Sequence, residues 1–176
     1  MSHPYRPNHP SHASAPKGVG FDDVPDMPTF AILLVSDLTS SLQWYVEGLG
    51  FWVEKQLDGP DGQLAVVHLR RAQYRDMLLR PMREPLDGPL GRGVRLSFSV
   101  VSESEDSMRA IAARLAELPQ GSAKGPVATP WNTVEIEATD PDGYVVVLST
   151  VADRARTWNE LQDSVRGADR PVRLDA

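Results

Sequence analysis

One local pattern occurs twice in this chain and limits its folds more than any other feature. The apolar run Phe30 to Val35 is short enough to be a strand. Ser36 and Asp37 follow, and their side-chain oxygens can accept the free N–H groups of a first helical turn. Leu38, Leu42, Tyr45, Val46 and Leu49 then recur at helical spacing. Gly48 and Gly50 suit the left-handed turn that ends a helix, and Phe51-Trp52-Val53 opens another strand. The same order returns downstream. Val94 to Val101 is a strand and Ser102 to Ser104 a cap. Met108, Ile111, Ala112, Leu115 and Leu118 form a helical stripe that Pro119 and Gly121 stop.

Each half continues with strands. In the first, the turn Asp58 to Gly62 precedes Gln63–Arg70 and Tyr74–Arg80, and Met82 to Gly93 is a linker. In the second, Lys124 to Pro130 is an edge strand or loop, Asn132 to Thr139 alternates as a half-buried strand, and Tyr144 to Val151 is the last strand. A unit this short cannot close its own hydrophobic face, so two such units are expected to pack together. The chain therefore reads as α+β, with two βαβββ modules at 28–81 and 93–151 in one domain, 27–151. Phe30–Val35 corresponds to Arg95–Val100, and Met77–Leu79 to Val145–Val147. A helical extension occupies 152–176, with its pattern from Asp153 to Val165 and Trp158, Leu161 and Val165 on one face. Residues 1–26, rich in Pro, His and Ser, read as a mobile tail carrying His3, His9 and His12.

Composition narrows the function. The net charge of −6 argues against nucleic-acid binding, which needs a basic face. No apolar run approaches the ~20 residues that span a bilayer, and the N-terminus lacks a signal pattern, so a cytoplasmic location is expected. With no cysteine there is neither a disulfide nor a thiolate ligand or nucleophile. No phosphate-cradling or nucleophile-elbow motif is present.

The motif V-x-D-L-x-x-S-x-x-x-Y-x-x-x-L-G-F, Val35 to Phe51, resembles the opening of a module in the vicinal-oxygen-chelate superfamily. Asp140-Pro141-Asp142-Gly143-Tyr144 followed by Val145 to Leu148 resembles its closing motif. The superfamily includes glyoxalase I, extradiol dioxygenases, fosfomycin-resistance enzymes and bleomycin-resistance binding proteins. The resemblance implies an eight-stranded cup with helices outside, and a homodimer. It also implies a divalent metal held by His and Glu in the enzymes. The positions it assigns to those ligands carry Phe30, Leu79, Arg95 and Val147, none of which binds a metal.

Strand alternation and the family pattern assign side chains to the cup. They are Phe30, Ile32 and Leu34; Leu64, Val66 and His68; Met77 and Leu79; Arg95, Ser97 and Ser99; Glu135 and Glu137; and Val145, Val147 and Ser149. Arg95 pairing with Glu135 or Glu137 to hold the sheet is the competing role. The resemblance favours a non-catalytic protein of the bleomycin-resistance type, without cofactor or metal, that sequesters a cationic or aromatic small molecule. The candidate ligand-binding residues are Phe30, Trp52, His68, Arg95, Trp131, Glu135 and Glu137, with Trp131 to stack, the glutamates to neutralise a cation and Arg95 to orient a carboxylate or amide. Trp44 belongs to the core. Two alternatives stay open. One is a metal-dependent lyase, isomerase or dioxygenase using His68, Glu135 and Glu137; the other is a module that pairs with another protein through the C-terminal helix.

Overall fold

The computed structural model describes residues 27, 29–84, 87–88, 90–100 and 103–167. The expected tail with its three histidines, Val101 and Ser102, and residues 168–176 lie outside the described residues. The chain divides into two compact units, with the division between Leu90 and Gly91.

In the first unit, β1 (Phe30–Val35) leads into α1 (Leu38–Gln43), which widens into a π-helical turn over Trp44–Gly48. Strands β2 (Trp52–Asp58), β3 (Leu64–Ala72) and β4 (Arg75–Pro81) follow. The sheet order is β1-β4-β3-β2, with β1 parallel to β4 and the other pairs antiparallel. Asp37 caps α1: Oδ1 accepts from Thr39 N at 2.9 Å and Ser40 N at 3.3 Å, and Oδ2 accepts from the Ser40 hydroxyl at 2.8 Å. The Ser40 hydroxyl, followed by the backbone donors, holds the Asp37 carboxyl below its ordinary pKa. Gly50, at φ 73°, makes the expected left-handed exit. The helix then buries Leu42, Trp44, Tyr45 and Leu49, with Tyr45 edge-on to Trp44 at 4.9 Å and to Phe51 at 5.8 Å.

Asp37→Ala is expected to cost about 1 kcal/mol at neutral pH. Because the folded pKa is lowered, the charged cap stabilises fully above the ordinary value of 3.8 and its contribution fades as pH falls through the folded value. Urea unfolding of both proteins near pH 7 and near pH 2.5 measures this, and the difference between them should shrink in acid.

The second unit repeats the topology. Its elements are β5 (Arg95–Ser99), α2 (Glu105–Glu117), β6 (Ser122–Ala128), β7 (Thr133–Thr139), β8 (Val145–Val151) and α3 (Trp158–Gly167). The order is β5-β8-β7-β6, again with the first pair parallel. Ser104 caps α2 by accepting from Ser107 N at 3.1 Å, and Met108, Ile111 and Leu115 are its buried stripe. Asp140 shapes the turn before β8, its Oδ1 accepting from Asp142 N at 2.9 Å and Tyr144 N at 2.8 Å. The pairing of β6 with β7 skips from Lys124 to Val127, where Pro126 has no N–H to offer.

Helix α3 begins later than the periodicity predicts. Asn132 holds the backbone of Asp153 through bonds of 2.7 and 3.1 Å, and Asp153 Oδ1 accepts from Ala155 N at 2.8 Å, so that segment is a turn. The helix starts after Thr157, where Thr157 and Glu160 cap each other's backbone N–H. Of the expected apolar face, Leu161 is half-buried while Trp158 and Val165 are exposed.

The registers equate the two units residue by residue. Phe30 pairs with Asp76 as Arg95 pairs with Val145, and His68 pairs with Leu78 as Glu137 pairs with Val147. Val145–Val147 therefore corresponds to Asp76–Leu78, one residue earlier than Met77–Leu79. Met77 and Leu79 pair with Ala31 and Leu33 and are fully buried, on the face opposite Phe30, Ile32 and Leu34. The expectation that they join those residues is corrected: Asp76, Leu78 and Arg80 do.

Candidate functional site

Each unit presents one sheet face that is not filled by its apolar core. In the second unit this face carries Arg95, Ser97 and Ser99 from β5, Val145, Val147 and Ser149 from β8, and Glu135 and Glu137 from β7. Arg95 reaches across β8, with Nη1 and Nη2 each 2.6 Å from Glu137 Oε2. Lys124 Nζ lies 3.8 Å from the other Glu137 oxygen. The Arg95 side chain is 49% exposed, so the pair contributes under about 1 kcal/mol.

Glu135 differs. Its Oε1 accepts from Trp131 Nε1 at 2.8 Å and from the Thr133 hydroxyl at 2.8 Å, with the Ser149 hydroxyl at 3.5 Å. Neutral donors thus orient this carboxylate, and among the described residues no cation pairs with it. Trp131 precedes β7 in a turn closed by Thr129 N donating to Thr133 O at 2.8 Å, with Asn132 at φ 66°. That turn leaves the indole 41% exposed beside the carboxylate.

In the first unit the corresponding face carries Phe30 and Ile32, 42% and 52% exposed, with Leu34, Leu78 and a buried polar network. His68 Nε2 and Arg70 Nε each lie 2.6 Å from Asp76 Oδ1. Asp76 Oδ2 is buried and has no hydrogen-bond partner among the described residues. Arg70 Nη1 is 3.7 Å from Glu54 Oε1, and Trp52 Nε1 donates to Glu54 Oε2 at 2.9 Å.

Of the candidates, the structure brings together Arg95 with Glu137 and Trp131 with Glu135. It sets His68 on Asp76, places Phe30 in register with Asp76, and ties Trp52 to Glu54. Asp76, Arg70 and Glu54 were not among them. The signal was present in Arg75 to Arg80, where alternation sets Asp76 opposite in face to Met77 and Leu79.

The glyoxalase/bleomycin resistance protein/dioxygenase superfamily matches residues 28–148. The chain belongs to this superfamily. Among solved structures, an integron cassette protein from the mobile metagenome of the Halifax Harbour sewage outfall is 22% identical, with a TM-score of 0.52 over 69% of this chain and 96% of that one. A virulence protein from Salmonella typhimurium is 19% identical, with a TM-score of 0.50 over 73% and 98%. These two likenesses show the fold. An antibiotic binding protein from Streptomyces sp. CB03234 is 26% identical, with a TM-score of 0.49 over 69% and 93%. No curated protein matches the chain.

For a member of this superfamily the metal positions are the informative ones. With the register corrected, the positions that the resemblance assigns to metal ligands hold Phe30, Leu78, Arg95 and Val147, none of which offers a metal a donor. His68 and Arg70 both occupy Asp76 Oδ1, so a cation there would meet a guanidinium. Among the described residues no group of three or more His, Asp or Glu is arranged to hold a metal. The side chains at these positions do not fit a divalent ion. Among the described residues, too, no helix is long and apolar enough to cross a membrane.

Proposed function

We propose that this superfamily member is a non-catalytic binding protein for a small molecule that carries a flat or cationic group. The observation that carries this reading is the set Phe30, Leu78, Arg95 and Val147 where a metal enzyme needs donors. Glu135 and Trp131 add to it: an oriented carboxylate, with no cation on it among the described residues, stands beside an exposed indole, a pair suited to a cationic aromatic group. Glu137, already paired with Arg95, has a smaller part, and Phe30, Trp52 and His68 supply the corresponding face of the first unit. In this proposal the protein works in the cytoplasm as a homodimer and needs no cofactor.

The test follows tryptophan fluorescence while bleomycin and simpler planar cations are added. Trp131→Ala is expected to weaken binding of the compounds that quench wild type by tenfold or more, and to leave the unfolding midpoint unchanged. Unchanged affinity removes Trp131 from the site, and absence of binding by every cation in the set overturns the ligand class.

A further inference from the structure

The pair His68–Asp76 is a buried contact of 2.6 Å. Asp76 is 3% exposed, and its Oδ1 already accepts from Arg70 Nε, which can only donate. With that oxygen acting as an acceptor, the 2.6 Å contact is one in which His68 Nε2 donates. In the neutral ring this fixes the tautomer and leaves Nδ1 as a lone pair. Among the described residues His68 makes no other hydrogen bond, and its side chain keeps 6% of its surface exposed. Asp76 Oδ2, the other oxygen of the same carboxyl, is a buried acceptor without a donor among the described residues. Such groups are rare in folded proteins because each costs about 1–3 kcal/mol. The exposed side chains of Phe30 and Ile32 share this sheet face, as does Leu78, the residue in register with His68.

We propose that His68 Nδ1 is a hydrogen-bond acceptor for an N–H or O–H group of the ligand, with Asp76 as the residue that sets its tautomer. The inference rests on the binding reading above and gives His68 its role in it. Apolar neighbours and one fixed acceptor suit a flat group that carries N–H donors at its edge, such as an amidinium.

The experiment uses the full chain labelled with nitrogen-15 at about pH 8, with benzamidine as the probe. The His68 ring is expected to show a protonated Nε2 and an unprotonated Nδ1, and benzamidine is expected to shift the Nδ1 resonance. Asp76→Asn is expected to keep the tautomer, because its amide oxygen still has to accept from Arg70 Nε at the place it shares with His68 Nε2, whereas Asp76→Leu, if folded, removes the acceptor and should weaken the probe's effect at least tenfold. A protonated Nδ1 in wild type overturns the inference. So does an Nδ1 resonance that stays still while benzamidine shifts the Trp131 indole, and that result leaves the binding reading standing. If neither resonance moves, the inference falls, and the binding reading is decided by the wider set of cations.

Discussion

Gly91→Ala is expected to destabilise the protein by about 3 kcal/mol, a large effect for one added methyl group. Gly91 is buried, donates its N–H to Asp142 O at 3.0 Å and accepts from Val94 N at 2.9 Å. A Cβ placed on it would overlap the Gly143 carbonyl group and the Tyr144 N. These are backbone atoms, so no rotamer change relieves the overlap. The turn that Asp140 organises ahead of β8 would have to move, and with it the strand at the centre of the second sheet's face. Gly62→Ala is the control: its φ is 72° but nothing lies within 4 Å of an added Cβ, so only the left-handed backbone cost of about 1 kcal/mol remains. Thermal unfolding should lower Tm by roughly 6–12 °C for Gly91→Ala, since each kcal/mol is worth about 2–4 °C in a domain of this size. Equal losses at the two glycines would show that the close approach at Gly91 is absent in solution.

Asp76→Ala is the second large loss, about 3–5 kcal/mol. The carboxylate is the shared acceptor for two other buried side chains, His68 at 5% and Arg70 at 8% exposure. Removing it takes the 2.6 Å carboxylate from the Arg70 guanidinium and leaves Glu54 at 3.7 Å, a costly loss for a charge in a sheet interior. The attribution has its own check. Combining Asp76→Leu with His68→Leu, Arg70→Met and Glu54→Gln removes the charged members of the network together, since Glu54 would otherwise lose Arg70, and buried ion pairs replaced by uncharged residues often lose little. The combined variant should therefore regain most of what Asp76→Ala loses in urea unfolding. If it is as unstable as the single variant, the loss comes from packing at position 76 rather than from the network.

The repeat was legible in the sequence because its punctuation is chemical. Asp37 with Ser40, Gly50 after the helix, Ser104 with Ser107 and Asp140 with Tyr144 make local bonds that short-range pattern identifies. The β7 face was equally plain, since Val134, Ile136 and Ala138 alternate with Glu135 and Glu137 and are all buried. The slip at β4 is one of phase, because alternation does not say which of its two sets shares the face of Phe30. Read alone, Asp76, Leu78 and Arg80 separate from Met77 and Leu79, and the shift of one residue reverses every face. The contacts that define the site were less visible. Trp131 reaches Glu135 through a left-handed residue, Asn132, that the sequence does not announce. Arg95 finds Glu137 across an intervening strand, so nothing in local spacing selects Glu137 over Glu135. The start of α3 depended on Asn132 gripping Asp153, a contact between distant segments.

The central claim is that this superfamily member binds without a metal, and metal content tests it most directly. The full chain, with His3, His9 and His12 replaced by Gln so that those side chains contribute no ligand, would be produced with manganese, iron, nickel and zinc supplied, then dialysed and assayed by elemental analysis. The account predicts far less than one metal per chain in a protein that remains folded. One equivalent of a single metal, lost on replacing His68 or Glu135, would contradict it and make the chain a metal enzyme.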